Sequence, residues 1–217
     1  MARMKVAVLI SGRGSNLQSL IDACADSAFP AEISLVISSQ GDAHGLARAK
    51  DAGIRAEVIN HRSFNARQGF EATIDATLRA AKIELVCMAG FMRILTPWFV
   101  ERWRDRLINI HPSLLPAFTG LDTHARVLSA GARFSGCTIH YVRPELDDGP
   151  ILVQAVVPVM PGETPDSLAS RVLAAEHRCY PVALQLIAEG RVRIRNELVE
   201  VANVLPPADI IMFNPAG

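Results

Sequence analysis

The sequence predicts an open, doubly wound α/β fold with a mostly parallel sheet and helices on both faces. Three observations carry this. Short β-rich runs alternate with amphipathic stretches through the first half of the chain. A glycine turn, Ser11-Gly12-Arg13-Gly14-Ser15-Asn16, joins the first such run to a helical pattern. After His111 the alternation gives way to a proline-rich loop and two strand-like runs joined by an acidic turn. Repeated β-α units imply parallel strands covered by helices, with ligands beyond the carboxyl ends of the strands.

Each element has its own justification. Residues 7–10 form an apolar run, and Leu17, Leu20 and Ile21 recur at helical spacing, so a strand at 5–10 leads into a helix at 16–25. Further strands are expected at 32–38, 55–59, 85–89 and 107–111, with helices at 44–52, 64–81 and 97–103 between them. Beyond a loop at 112–120, the pattern predicts a short helix at 123–130 and strands at 136–142 and 151–159. A long helix follows at 164–190, capped by Thr164 with Asp166 in its first turn. Residues 192–201 alternate loosely, and the chain closes on a proline-containing tail.

Composition narrows the function classes. The 217 residues carry 22 Lys plus Arg against 22 Asp plus Glu, so no overall field attracts a polyanion, and the expected partner is a small molecule rather than nucleic acid. Cys24, Cys87, Cys137 and Cys179 form no C-x-x-C pair, which predicts reduced thiols and no zinc site. The apolar stretch 85–92 is too short to span a bilayer, and the N-terminal run 6–10 is too short for a signal peptide, so no membrane association and a cytoplasmic location are expected. Monomer and homodimer are both open.

The glycine turn offers unpaired N–H groups and the positive end of a helix dipole to an anion. It is not a dinucleotide fingerprint, because the third glycine of G-x-G-x-x-G would fall at Leu17 and the second strand ends in Ser38-Ser39-Gln40 with no acid. A purely structural turn remains the alternative to a single phosphate held by Gly14, Ser15 and Asn16.

In the run Ile108-Asn109-Ile110-His111-Pro112, Asn109 and His111 share one face at the end of a strand, and Pro112 forces the chain out of the sheet. Asp147, in the turn Pro144-Glu145-Leu146-Asp147-Asp148-Gly149-Pro150, could reach the same rim, although such an acidic turn is equally often a solvated loop. An amide, an imidazole and a carboxylate suit acyl transfer: two groups hold a developing oxyanion and the third sustains the charged imidazole. Ser113 and Cys137 lie on no nucleophile-elbow turn, and His111, His124 and His140 have no metal-ligand spacing, so no metal is expected. Trp98 and Trp103 are expected to be packing residues.

With these motifs in view, the chain resembles the folate-dependent phosphoribosylglycinamide formyltransferases over roughly residues 4–200. The stretches VLISGRGSNLQSLIDAC, MAGFMRIL, NIHPSLLP, ELDDGP and EHRCYP carry the likeness. The resemblance implies transfer of a formyl group from the co-substrate 10-formyltetrahydrofolate to the amine of phosphoribosylglycinamide, in purine synthesis. It implies Asn109, His111 and Asp147 as the catalytic trio, and Gly14, Ser15, Asn16 and Glu176 as contacts to the substrate phosphate and glycinamide. It implies a folate pocket formed by Arg67, Met92, Arg93, Ile94, Leu95, Asn109, Arg143, Pro144, Glu145, Leu146 and Asp147. One formyltransferase domain over 1–202 follows, with a phosphate-binding half (about 1–105), a folate-binding and catalytic half (about 106–202), and a tail at 203–217. Ala117, Thr119, Asp122 and Leu173 depart from residues common in the family and are expected to alter phosphate and folate-tail contacts. The rival readings are a formyltetrahydrofolate hydrolase lacking a regulatory domain and a non-catalytic sugar-phosphate sensor.

Overall fold

A computed structural model describes residues 2–203, 212 and 214. The expected tail therefore lies largely outside the described residues. Strands β1 (Met4–Ile10), β2 (Ala31–Ser38), β3 (Ala56–Val58), β4 (Leu85–Met88) and β5 (Leu107–His111) are all parallel to one another. Strands β6 (Phe134–Tyr141) and β7 (Ile151–Pro158) continue the sheet antiparallel, giving the order β3-β2-β1-β4-β5-β6-β7. The reversal of strand order beside β1 is the switch point at which the sheet opens a crevice. The expected fold class is borne out.

Alternation along the strands builds two main cores. Val6, Val8 and Ile10 of β1 point to one face, where they pack with Leu17, Leu20 and Ile21 of α1 (Ser15–Ala25). Helix α2 (Gly45–Asp51) adds Ala49 to that face. Ala7 and Leu9 point to the other face and meet Phe70, Ile74 and Leu78 of α3 (Arg67–Ala80) and Phe99 of α4 (Pro97–Arg102), with Trp103 just beyond it. A smaller core under β6 and β7 joins Val127 of α5 (Thr123–Ser129) to Leu168 and Val172 of α6 (Pro165–Ala188). Thr164 caps α6 as expected, its hydroxyl accepting from Ser167 N–H at 3.2 Å.

One expected boundary needs correction. The helix expected from residue 64 starts at Arg67, because Phe64 and Ala66 are extended and the Phe64 ring instead packs edge-on against Phe70 at 5.8 Å. The loosely alternating run 192–201 is a hairpin of β8 (Val192–Arg195) and β9 (Leu198–Val201), separate from the main sheet. Its two-residue turn, Asn196-Glu197, has positive φ at both positions (50° and 59°), the handedness that matches strand twist.

Candidate active site

The glycine turn follows β1 directly. Gly14 takes φ +69°, and a Cβ there would lie 2.6 Å from the Gly45 Cα, so both the backbone conformation and the approach of α2 require glycine. Ser15 and Asn16 then open α1, where first-turn N–H groups lack helical acceptors. Asn16 is buried, and its Nδ2 donates to Glu176 Oε2 of α6 at 2.7 Å. Burial pushes the Glu176 carboxyl above the usual carboxylate range, with the Asn16 bond opposing that shift. The side-chain oxygen of Asn16 is buried with no partner among the described residues. The structure thus joins two expected substrate contacts, Asn16 and Glu176, into one buried polar pair beside the turn.

The second cluster sits at the carboxyl end of β5. Asn109 and His111 lie on one strand face, opposite His140 and Thr138 of β6 in the antiparallel register. Thr138 Oγ1 donates to Ser113 O at 2.7 Å and accepts from Leu115 N–H at 3.0 Å, tying down the loop that leaves β5. That loop brings the Phe118 carbonyl to 3.0 Å from His111 Nε2. On the other side of the ring, Asp147 Oδ2 stands 3.5 Å from His111 Nδ1 and accepts from Gly120 N–H at 2.8 Å. Both ring nitrogens of His111 therefore face oxygen acceptors, the Phe118 carbonyl at hydrogen-bond distance and the Asp147 carboxylate somewhat farther away.

His140, which has no metal-ligand spacing in the sequence, completes this cluster. Its Nδ1 lies 3.0 Å from the Tyr141 carbonyl, which makes Nδ1 the donor and leaves Nε2 to accept from Asn109 Nδ2 at 3.3 Å. Burial holds the His140 pKa below the usual histidine range, against the pull of the Tyr141 carbonyl and Asp147, so the ring is neutral at pH 7. The neutral ring fixes which way the Asn109 amide points. The available signal was positional: His140 lies directly across from Asn109 once β6 is placed in register.

These groups open onto a cavity of about 360 Å³ lined by Met92, Arg93, Ile94, Leu95, Asn109, His111, His140 and residues 142–147. Met92, Ile94, Leu121 and Leu146 expose apolar surface around it. Arg67 lines an adjoining cleft with His61, Phe70, Met92, Arg93 and Ile94, next to the main cavity rather than in it. Arg143 borders the cavity, but its guanidinium is bound to Asp105 and Glu197. Ser113 donates to the Ala117 carbonyl and Cys137 is fully buried, which leaves neither as a free nucleophile. Trp103 is buried, with its indole N–H on Asp75. Among the described residues, no group of three or more His, Cys, Asp or Glu side chains is placed to hold a metal, and no helix is long and apolar enough to cross a membrane.

Residues 4–184 match the formyl transferase family. The chain belongs to that family. This formyltransferase is 41% identical to the phosphoribosylglycinamide formyltransferase of Escherichia coli K12 over 191 residues, covering 88% of this chain and 90% of that one. It is 50% identical over 210 residues to the trifunctional purine biosynthetic protein adenosine-3 of Drosophila pseudoobscura pseudoobscura. The chain spans only 15% of the length of that protein. The crystal structure of glycinamide ribonucleotide transformylase 1 from Symbiobacterium toebii superposes on it with a TM-score of 0.89 at 42% identity, covering 92% of this chain and 94% of that one.

Proposed function

We propose that this formyltransferase moves the formyl group of 10-formyltetrahydrofolate to the amine of phosphoribosylglycinamide, a step of purine synthesis. The observation that carries the reading is the meeting of Asn109, His111 and Asp147 at one apolar-walled cavity. An unprotonated amine is already a nucleophile, so the site needs alignment, oxyanion stabilisation and proton transfer rather than a serine or cysteine attacker.

The roles are those the resemblance implies, and the geometry supports them. The folate co-substrate supplies an activated formyl carbon, and the cavity suits a flat heterocycle: Met92, Ile94, Leu95 and Leu146 give it apolar walls beside the Asn109 and His111 side chains. Gly14, Ser15 and Asn16 take the phosphate of the amine substrate, and Glu176 holds its glycinamide end. As the new C–N bond forms, the Asn109 amide N–H stabilises the oxyanion, joined by His111 once its Nε2–H turns from the Phe118 carbonyl. Asp147 orients the His111 ring from its Nδ1 side and receives, through a water, the proton that leaves the attacking nitrogen. That proton is returned to the folate nitrogen as its bond to the formyl carbon breaks, so protons and electron pairs balance.

The test is to follow folate absorbance with and without phosphoribosylglycinamide, in wild type and in His111→Ala. Transfer that depends on the glycinamide and falls about 100-fold or more in the variant, with the fold retained, supports the reading. Formyl loss independent of the glycinamide would identify a hydrolase. No turnover with either mixture would leave a sugar-phosphate sensor.

A further inference from the structure

We propose that the β8–β9 hairpin, which lies beyond residue 184 where the family match ends, is a clamp on the folate-pocket loop, with Glu197 as its positioning residue. This rests on the function proposed above for the cavity. The loop in question, residues 142–150, forms one cavity wall with residues 143–147 and carries Asp147.

The contacts are specific. Arg143 opens the loop with its guanidinium buried, and its Nε donates to Glu197 Oε2 at 2.6 Å. Nη2 of Arg143 donates to Asp105 Oδ1 at 2.7 Å, and Nη1 donates to the Val142 carbonyl at 3.1 Å. The other carboxylate oxygen of Glu197 accepts from Arg104 at 2.5 Å, and Arg104 also pairs with Glu101 of α4 at 3.0 Å. One carboxylate thus ties the loop to the end of α4. The turn serves this geometry, since positive φ at both Asn196 and Glu197 places Glu197 at the tip of a two-residue reversal.

A buried guanidinium needs acceptors for its five donors, because an unpaired charge in a low-dielectric site is strongly unfavourable. Glu197 is one of two carboxylates that meet this need, so its removal frees the Arg143 end of the loop to seek water. Asp147 has a separate anchor, the Gly120 N–H, at the loop's far side. Loosening should therefore reach the pocket wall at residues 144–146 before it reaches the catalytic carboxylate. The substrate-specific consequence is a folate effect: the phosphate turn and the Asn16–Glu176 pair lie on other elements.

The experiment compares wild type with Glu197→Ala, Glu197→Gln and the control Glu200→Gln, whose carboxylate pairs with Arg195 within the hairpin at 3.5 Å. For Glu197→Ala the KM for the formyl folate should rise roughly tenfold while kcat falls less than about threefold, the loss expected for one charged hydrogen bond that orders a binding wall. The KM for the phosphorylated amine should not move. Amide hydrogen exchange at Tyr141 and Val142, whose N–H groups close the base of the loop on the Pro150 and Leu107 carbonyls at 2.9 Å each, should quicken in the same variant, Glu197→Gln should fall between it and wild type, and Glu200→Gln should match wild type. An unchanged folate KM overturns the clamp even if exchange quickens. Equal losses in both KM values, kcat and melting temperature overturn it too, since they mark general destabilisation. The exchange measurement needs no substrate: if wild type transfers no formyl group, the activity reading fails, and faster or unchanged exchange still upholds or overturns the clamp.

Discussion

Replacing Gly14 by Ala tests whether the glycine turn is shaped by packing or merely tolerates glycine. Two effects add. An L-residue at φ +69° carries the left-handed penalty of about 1–2 kcal/mol. Its methyl would also stand 2.6 Å from the Gly45 Cα, a backbone atom that cannot rotate away, so the turn and α2 must separate by most of an ångström. Overpacking of that kind adds roughly 1–3 kcal/mol. Gly53 is the internal control, because it has φ +68° but nothing within 4 Å of its added Cβ. At about 2–4 °C per kcal/mol for a chain of this size, Gly53→Ala should lower the melting temperature by roughly 2–8 °C and Gly14→Ala by roughly 4–20 °C. The assays are thermal unfolding of both variants and the KM for phosphoribosylglycinamide. Only Gly14→Ala should raise that KM, because its displaced N–H groups are the ones assigned to the phosphate. Equal melting temperatures for the two variants, with the KM untouched, would refute both the packing argument and the phosphate assignment.

Two further outcomes follow from the buried polar groups. Glu176 has a raised folded-state pKa, so its contribution favours the native state most below the unfolded value, near 4.5, and is lost as pH rises through the folded value. Glu176→Gln should therefore match wild-type stability near pH 4 and exceed it at pH 7, while weakening binding of the amine substrate; an advantage that does not grow with pH in melting experiments counts against the burial argument. His140→Ala removes the acceptor that orients Asn109, and one lost buried hydrogen bond of about 1–3 kcal/mol predicts a kcat roughly 5- to 150-fold lower. Steady-state kinetics showing normal kcat would mean that the Asn109 amide needs no such guide.

The parallel half of the fold was readable because burial on both sides of a sheet leaves continuous apolar runs, and β1, β2, β4 and β5 fall within about one residue of the expected ranges. Caps and punctuation placed α6 at Thr164. The hairpin was harder, since Asn196-Glu197 lacks the glycine that announces such turns. Asn109 and His111 could be paired from strand alternation alone. Asp147 could be named as a candidate, but its approach to His111 depends on a positive φ of 55° and a hydrogen bond to Gly120, neither of which leaves a mark in the local pattern. His140 and the Arg143–Glu197 pair depend on register and on contacts across 31 and 54 residues, which no local periodicity encodes.

The strand order has a consequence for the size of the molecule the protein can use. The turn proposed to hold the phosphate leaves β1 and the cluster proposed to react leaves β5, with β4 alone between them. At about 4.8 Å per strand, their carboxyl ends are roughly 10 Å apart. The sheet acts as a ruler: a substrate held by its phosphate presents for reaction whatever group lies about 10 Å along it. Shorter phosphorylated amines should occupy the turn and compete with the substrate without being formylated.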